Sequence, residues 1–214
     1  MGLDGVVMSW TAVIPVKRLD SAKSRLGAGD DPQRPELALA FSLDVIEACQ
    51  SASAIATIIV VTDDPDVVTS VSDVTICPEP AGGGLNRAIA AGAELAGSPV
   101  VVLAGDLPCL RPLALDYLLD IPSTHSRSLL SDTQGSGTAM LFSLDPQALA
   151  PAFGPKSRSA HVQEGYVDLA LDAGDDIRSL LAGARRDVDT PADLWDARRI
   201  GVGRRTAAVL GRHG

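Results

Sequence analysis

Residues 11–16 read TAVIPV, and two runs of similar character follow, TIIVVT at 57–62 and PVVVLA at 99–104. The centre of each run is continuously apolar and does not alternate with polar positions. Strands that are covered on both faces have this pattern, whereas strands with one solvated face alternate. The three runs therefore predict central strands of a sheet that is buried on both sides.

Helical patterns lie between these strands. Leu37, Phe41, Val45 and Ala48 recur every three to four residues, which predicts a helix with one apolar stripe, and residues 85–96 form a second, alanine-rich helical pattern. Strands that alternate with helices through short connections indicate a parallel sheet with right-handed crossovers. We expect a single α/β domain with three layers around a mostly parallel central sheet.

The second half of the chain departs from this alternation. Two further strands are predicted at 128–132 and 138–143, joined by a glycine-rich turn, and a helix at 157–165. A last helix is predicted to begin at Thr190-Pro191, because Thr is a good cap and Pro fits the first helical position. The stretches without a clear pattern are 168–184 and the expected flexible or docked tails at 1–10 and 204–214.

The composition limits the classes of function. Acidic residues number 27 and basic residues 18, a formal charge of −9 that repels nucleic acid and anionic membranes, so we expect neither as a partner. The 3 cysteines are too far apart for CxxC pairs. An odd cysteine number without a secretory leader is typical of a reduced intracellular protein, and we expect a cytoplasmic one.

A cationic loop follows the first predicted strand. Lys17, Arg18, Lys23 and Arg25 surround a single acid, Asp20, so the loop is positive within an acidic chain. The loops after parallel strands meet at one edge of the sheet, where ligands bind. A cradle for a polyphosphate is therefore predicted here, with a solvated charge run as the alternative. Neither the Walker motif GxxxxGK[ST] nor GxGxxG occurs at this position, so those nucleotide folds are disfavoured.

Carboxylates follow two other predicted strands or turns. Asp106 comes directly after the third run, and Asp187 and Asp189 lie two residues apart before the last helix. One or two carboxylates together with substrate phosphates are the usual ligands of Mg²⁺. If 187–189 is a strand, its two carboxylates point to the same face and approach one metal ion together. The alternatives are a turn at Asp106 and a helix-terminal role for Asp189.

Glycines precede the second helical pattern at 82–84. Gly83 would let the backbone approach a phosphate or a flat ligand, and Asn86 would contact a base or ribose. The alternatives are a flexible loop and a solvated Asn. Asp64 before Pro65 is better explained as a helix cap than as a ligand contact.

Hydroxyls, glycines and cations recur at 135–138 and 153–159. These stretches, which include the cations Lys156 and Arg158, predict a site for a small anionic acceptor, assisted by the N-terminus of the helix that begins near Ser157. The alternative is an ordinary loop and cap. The three histidines show neither metal-ligand spacing nor a Ser–His–Asp arrangement, which disfavours a zinc site or a hydrolase triad.

Taken in order, these motifs resemble one family, the guanylyltransferases of coenzyme F-420 biosynthesis. The combination of SAKSRL with FGPxS is its most specific part, and the resemblance runs from about residue 13 to 203. The matching motifs are VIPVK at 13–17, SAKSRL at 21–26, LNxAI at 85–89, GDLP at 105–108, GTA at 137–139, FGPxS at 153–157 and DVDTPxD at 187–193.

The resemblance implies a fold, a reaction and a set of site residues. The fold would be a single nucleotidyltransferase domain, GT-A-like and Rossmann-like, over 1–214. The family joins GTP to a small phosphorylated three-carbon acid and releases diphosphate, and a downstream biosynthetic enzyme is a possible partner. The implied roles are acid binding by Thr138, Gly154 and Ser157; Mg²⁺ binding by Asp106, Asp187 and Asp189; nucleotide binding by Lys17, Lys23, Arg25, Gly83 and Asn86; and catalysis by Lys17, Lys23 and Asp106.

Several activities remain open on the sequence. Phosphoenolpyruvate is the favoured acid, because the composition is similar to that of the actinobacterial branch, and 2-phospho-L-lactate is the alternative. A nucleotidyltransferase of molybdenum-cofactor type and a sugar-nucleotide glycosyltransferase with 187–189 as its DxD motif share the expected architecture. A catalytically silent nucleotide-binding module is a rival of another class, which needs fewer carboxylates near the phosphates.

Overall fold

A computed structural model of the protein describes residues 8–20, 26, 33–97, 99–121, 125–171 and 175–212. Lys23 and Arg25 lie outside the described residues. The strands are β1 (Trp10–Pro15), β2 (Ile55–Val61), β3 (Thr75–Cys77), β4 (Val100–Leu103), β5 (Arg127–Ser131), β6 (Thr138–Ser143) and β7 (Val167–Asp168). The helices are α1 (Gln33–Ser51), α2 (Pro65–Ser70), α3 (Leu85–Glu94), α4 (Pro112–Asp120), α5 (Ser157–Gln163), α6 (Asp175–Leu181), α7 (Pro191–Ile200) and α8 (Arg204–Arg212), with a 3-10 turn at Pro146–Ala148.

The strands of the described residues form one sheet in the order β3-β2-β1-β4-β6-β5-β7. β1 pairs in parallel with β2 and β4, and β2 pairs in parallel with β3. β6 runs antiparallel to both of its neighbours, β4 and β5, and β7 is parallel to β5. The sheet is therefore mostly parallel, as predicted. The strand order changes direction at β1 and β4, where open α/β sheets form their ligand crevice.

Alternate residues of the central strands pack against different layers. Ala12 and Ile14 of β1 share a core cluster with Leu118 of α4, while Val13 between them packs with Ile89 of α3. All five side chains are completely buried. A side chain of this kind contributes about 1.5–3 kcal/mol when it is fully buried, so both faces stabilise the fold. This burial explains the non-alternating sequence of the runs and confirms the three layers.

Cap residues define the helix starts as the sequence predicts. Asp64 accepts hydrogen bonds from the main-chain N of Asp66 at 2.9 Å and of Val67 at 3.2 Å. It also accepts from the N of Leu19, 45 positions away, at 2.9 Å. Thr190 and Asp193 form a reciprocal capping box at the start of α7. Asp64 is thus a structural residue, which joins the loop after β1 to the loop after β2.

Five strands and helices were not predicted from the sequence. β3 and β7 have three and two residues, too few for a periodic signal, and α4 follows a proline-rich turn that hides its start. α6 and α8 lie in the two stretches without a clear pattern, 168–184 and 204–214. Residues 186–189 have no regular secondary structure, so the condition that 187–189 is a strand, on which the shared face of Asp187 and Asp189 depended, is not met. None of the helices in the described ranges is long and apolar enough to cross a membrane.

The segment 204–212 forms α8, which docks on α1. Asp44 of α1 accepts hydrogen bonds from the main-chain N of Arg205 and Thr206 at 2.9 and 3.0 Å, so a buried carboxylate caps α8 from another helix. Glu47 pairs with Arg204 and Arg205 at 2.6 Å each. The expectation of a flexible or docked tail therefore resolves to a docked helix for these residues.

Candidate active site

The hairpin β5–β6 returns the chain to the edge where β1 and β4 end. Leu103 at the end of β4 pairs with Met140, and the N of Ala104 donates to the carbonyl of Ala139 at 3.1 Å. Because β6 is antiparallel, its first residue, Thr138, lies beside the residues that follow β4. The predicted acid-binding Thr138 and the predicted metal ligand Asp106 are thus brought to the same edge of the sheet.

Carboxylates gather at this edge around Asp187. The N of Val188 donates to the main-chain carbonyl of Asp106 at 3.1 Å, which joins the segment before α7 to the loop after β4. The pKa of Asp187 is raised to about 6, first by burial and then by the charges of Asp106, Asp132 and Asp189 in that order. A site with so many carboxylates is stabilised when a cation binds near them.

The described residues do not form a complete metal site by themselves. No group of three His, Cys, Asp or Glu side chains among them converges closely enough to hold a metal ion. Mg²⁺ commonly takes only one or two carboxylates from the protein and completes its shell with water and substrate phosphates. The pair Asp106 and Asp187 fits that donor set, in which most ligands come with the nucleotide.

Asp187 and Asp189 differ in solvent exposure, whereas two residues at this spacing in a strand would lie on the same face. Asp187 is half-buried and Asp189 is exposed, with the buried Val188 between them. The N of Asp189 donates to the Asp193 carboxylate at 3.3 Å, beside the capping box of α7. Asp189 therefore lies at a helix terminus, which was the alternative interpretation, and its metal role stays a prediction.

Asp132 is a member of the acidic group that sequence reasoning missed. It is buried, and its carboxylate accepts hydrogen bonds from the N of Ser136 at 2.9 Å and of Gly137 at 2.8 Å. Arg185 donates to the main-chain carbonyl of Asp132 at 2.7 Å, which fixes this turn to the segment before α7. The glycines of the turn were its only signal, because the proximity to Asp187 arises across 55 residues of chain.

Gly83 is required by its own loop. Its N donates to the carbonyl of Pro80 at 3.0 Å, and a Cβ added to it would lie 2.8 Å from that oxygen. Gly84 has a φ of +77° and precedes α3 without a side-chain cap. The glycines thus shape a tight turn into α3, and a nucleotide contact at Gly83 stays a prediction.

The side chain of Asn86 binds the main chain of Phe153, which lies 67 residues further along the chain. Its Nδ2 donates to the carbonyl of Phe153 at 3.0 Å, and its Oδ1 accepts from the N of Phe153 at 2.8 Å. Both ends of the amide are therefore engaged with the main chain of one residue. Asn86 thus positions the loop that contains Phe153, and its expected contact with a base or ribose stays a prediction.

Three side chains fasten the loop at 149–156, between the 3-10 turn and α5, which we call the acceptor loop because the acid is predicted to bind there. Asn86 binds Phe153, the N of Ala152 donates to Nε2 of His161 at 2.9 Å, and the N of Ala150 donates to the hydroxyl of Tyr166 at 2.9 Å. The ring of His161 also contacts the rings of Phe153 and Tyr166 edge to face. These contacts fasten the loop to α3, to α5 and to the residue before β7.

The two residues of this loop that were predicted to bind the acid have distinct environments. Gly154 is exposed with a φ of +142°, a conformation that a side chain would strain, and the space where a Cβ would lie is open. Ser157 is buried at the start of α5. Gly154 therefore lines open space, while Ser157 is enclosed by the protein.

Thr138 meets α5 through His161. Its Oγ1 lies 2.9 Å from Nδ1 of His161, a residue with no exposed surface. Burial lowers the pKa of His161 to about 4, so the ring is neutral at neutral pH. Sequence reasoning found no role for this histidine, because its partners lie 23 and 9 positions away on other elements.

The cations of the site are only partly described. Lys17 is exposed in the loop after β1 and has no hydrogen bond or ion pair with any residue that the structure describes. Arg158, one of the two cations near the predicted acceptor site, forms an ion pair with the buried Asp168 at 2.6 Å. Asp168 lies in the stretch without a clear pattern and ties α5 to β5, since it also accepts from the N of Ser131 at 3.4 Å.

The family model "Guanylyl transferase CofC like" matches residues 10–207 of this chain. The chain belongs to this guanylyl transferase family. The match extends from β1 into α8 and includes every site residue described above. The resemblance expected from the motifs is thereby confirmed.

Individual members of the family match over nearly the whole chain. The phosphoenolpyruvate guanylyltransferase of Streptomyces coelicolor is 44% identical, with 96% of this chain and 97% of that protein covered. The enzyme of the same name from Streptomyces scabiei is 42% identical with the same coverage. A solved nucleotidyl transferase from Methanothermobacter thermautotroptrophicus superposes with a TM-score of 0.62, at 18% identity, over 89% of this chain and 96% of that one. The last likeness shows the nucleotidyltransferase fold.

Proposed function

We propose that this member of the family transfers the guanylyl group of GTP to phosphoenolpyruvate, yielding enolpyruvoyl-2-diphospho-5'-guanosine and diphosphate for coenzyme F-420 biosynthesis. The observation that carries the proposal is the match of 44% and 42% identity to two phosphoenolpyruvate guanylyltransferases over nearly the full chain. The geometry supports it, since a fastened loop with Gly154 and Ser157 lies at the sheet edge that also holds Asp106 and Asp187.

The reaction joins two anions, which decides what the residues must do. A phosphate oxygen of phosphoenolpyruvate attacks the α-phosphorus of GTP, the new P–O bond forms, and the bond to the β-phosphate oxygen breaks with release of diphosphate. No covalent intermediate on the protein is needed. Catalysis then comes from positioning and from charge stabilisation at the leaving group. Lys17 and, on the expected motif, Lys23 and Arg25 supply positive charge to the triphosphate.

The carboxylates supply a place for a divalent cation. We assign Mg²⁺ to Asp106 and Asp187, with Asp189 as a further candidate, because these groups crowd negative charge at the sheet edge. When bound, Mg²⁺ offsets the charge of the phosphates and of the departing diphosphate. Asp106 and Asp187 would hold the positive charge of the ion at the edge of the sheet where β6 begins with Thr138.

The acid is tested by product analysis of the purified protein. GTP and MgCl₂ are incubated with phosphoenolpyruvate or with 2-phospho-L-lactate, and the products are identified by mass spectrometry. We expect enolpyruvoyl-diphospho-guanosine with the first acid and release of one diphosphate for each product. Lactyl-diphospho-guanosine as the dominant product would transfer the assignment to 2-phospho-L-lactate. Absence of both products would refute the proposed reaction.

The metal is tested in the same assay. EDTA in excess over MgCl₂ should abolish diphosphate release, and added MgCl₂ should restore it. GTP should raise the melting temperature more with Mg²⁺ than without it, because the nucleotide supplies most ligands of the ion. Full activity in EDTA would contradict the assignment.

A further inference from the structure

The imidazole of His161 lies between two polar groups inside the protein. Its Nε2 lies 2.9 Å from the main-chain N of Ala152, and its Nδ1 lies 2.9 Å from Oγ1 of Thr138. A main-chain N–H only donates, so Nε2 accepts and carries no proton. The proton of the neutral ring is therefore on Nδ1 and is donated to Thr138.

Complete burial supports the neutral form. His161 has no exposed surface, and its pKa is lowered to about 4 by burial. An imidazolium would also place an Nε2–H against the N–H of Ala152, where two donors would face each other. Both arguments lead to the same single tautomer, which the surrounding main chain selects.

This tautomer decides what the hydroxyl of Thr138 can do. A threonine hydroxyl has one proton and two lone pairs. Its oxygen accepts from His161, and within the described part of the chain its own proton has no other partner. We propose that His161 is a positioning residue that fixes the Thr138 hydroxyl as a hydrogen-bond donor to the anionic oxygen of the acceptor acid, and this rests on the proposed function.

The position of His161 on α5 strengthens this link. Ser157 precedes it by four residues, so both side chains lie on the same face of the helix, and both are buried. Fastening of α5 by His161 therefore places Ser157 and sets the donor direction of Thr138 together. A histidine that served only to hold the loop would act through Ala152 and would not involve the hydroxyl.

Two substitutions separate these roles. In His161→Asn the amide nitrogen takes the place of Nδ1 and keeps the donor to Thr138, whereas in His161→Gln the amide oxygen takes the place of Nε2 and keeps the contact to Ala152. We expect His161→Gln to raise KM for phosphoenolpyruvate about 10-fold or more with KM for GTP unchanged, and His161→Asn to stay within about threefold of the wild type. The opposite order, or equal effects, would overturn the proposal.

The tautomer is measured independently of activity and of the two His161 variants. Ring nitrogens of uniformly ¹⁵N-labelled protein are observed by long-range ¹H–¹⁵N correlation in the wild type and in the double variant His125→Gln/His213→Gln, in which His161 is the one histidine of the sequence that is left. We expect a protonated Nδ1 and an unprotonated Nε2 at pH 7. A protonated Nε2 would overturn the proposal, even if the kinetic variants failed to fold. A wild type without product from phosphoenolpyruvate would refute the proposed function, while this spectrum would still decide the tautomer.

Discussion

Asp106 lies among several carboxylates, and at the scale of one residue a single substitution tests the role of its negative charge. Asp106→Asn keeps the shape and removes one negative charge. If Asp106 holds Mg²⁺, several kcal/mol of charge stabilisation disappear, and kcat should fall about 100-fold or more. The measurement is the initial rate of diphosphate release at saturating Mg²⁺.

The matched control for this variant is Asp73→Asn. Asp73 is exposed, lies before β3 away from the carboxyl edge, and has a positive φ that Asn tolerates. The Asp73→Asn variant loses the same negative charge as Asp106→Asn, and its rate of diphosphate release should equal that of the wild type. A rate in Asp106→Asn equal to that of this control would remove Asp106 from the mechanism.

A substitution of Ser157 tests whether binding of the acid can be weakened without a change in the binding of GTP. Ser157→Ala removes a buried hydroxyl and should reduce kcat/KM for phosphoenolpyruvate by about 10- to 150-fold, the equivalent of about 1.5–3 kcal/mol for a hydrogen bond to an anion. GTP affinity, measured by calorimetry, should be unchanged. Ser159→Ala changes an exposed serine of the same helix and serves as the control. Equal losses for both substrates would show that Ser157 acts on the fold or on GTP.

At the scale of elements, one amide joins α3 to the acceptor loop. Asn86→Leu keeps the approximate size and removes both hydrogen bonds to Phe153. Each bond contributes about 0.5–1.5 kcal/mol, so the free energy of unfolding should fall by about 1–3 kcal/mol, and KM for the acid should rise as the loop loosens. Denaturant unfolding measures the first effect and initial rates the second.

Glu94→Gln at the exposed end of the same helix is the control for Asn86→Leu. It should match the wild type in both measurements. An unchanged stability together with altered discrimination between GTP and ITP would support the prediction that Asn86 contacts the base. The two roles therefore give different readouts for the same variant.

At the scale of the whole molecule, His161 makes stability depend on pH. Its pKa of about 4 in the folded protein lies below the value of about 6.5 for unfolded histidine, so only the unfolded state takes up this proton between those values. The contribution to the free energy of unfolding is complete above pH 6.5 and falls by about 1.4 kcal/mol for each pH unit as pH drops toward 4.

The comparison with His161→Asn isolates this histidine from the many carboxylates. Denaturant unfolding at pH 7 and pH 5 should show the wild type losing more stability than the variant, so that the difference between them shrinks at pH 5. A constant difference at the two pH values would mean that His161 titrates at its usual pKa. Salt is kept constant, because a chain of net charge −9 responds to screening.

Local patterns determined the framework of this protein. The apolar runs that became β1, β2 and β4 need partners on both faces, and such burial is visible in the sequence because every position along the run is apolar. The caps at Asp64 and Thr190 were equally predictable, since a cap involves neighbours within three residues. Because Asp106 comes shortly after a buried strand, the sequence also predicted that the carboxyl edge of the sheet carries the site.

Only the tertiary structure decided how the site is assembled. Asn86 meets Phe153 across 67 residues, and Asp132 approaches Asp187 across 55, so no local pattern contains either contact. His161 has an unremarkable sequence context, and its tautomer follows from one main-chain N–H that the fold places against its ring. The sequence by itself determined which residue types reach the sheet edge. Burial and long-range hydrogen bonds, which arise when distant segments pack, decided which of them are structural supports and which remain open to a ligand.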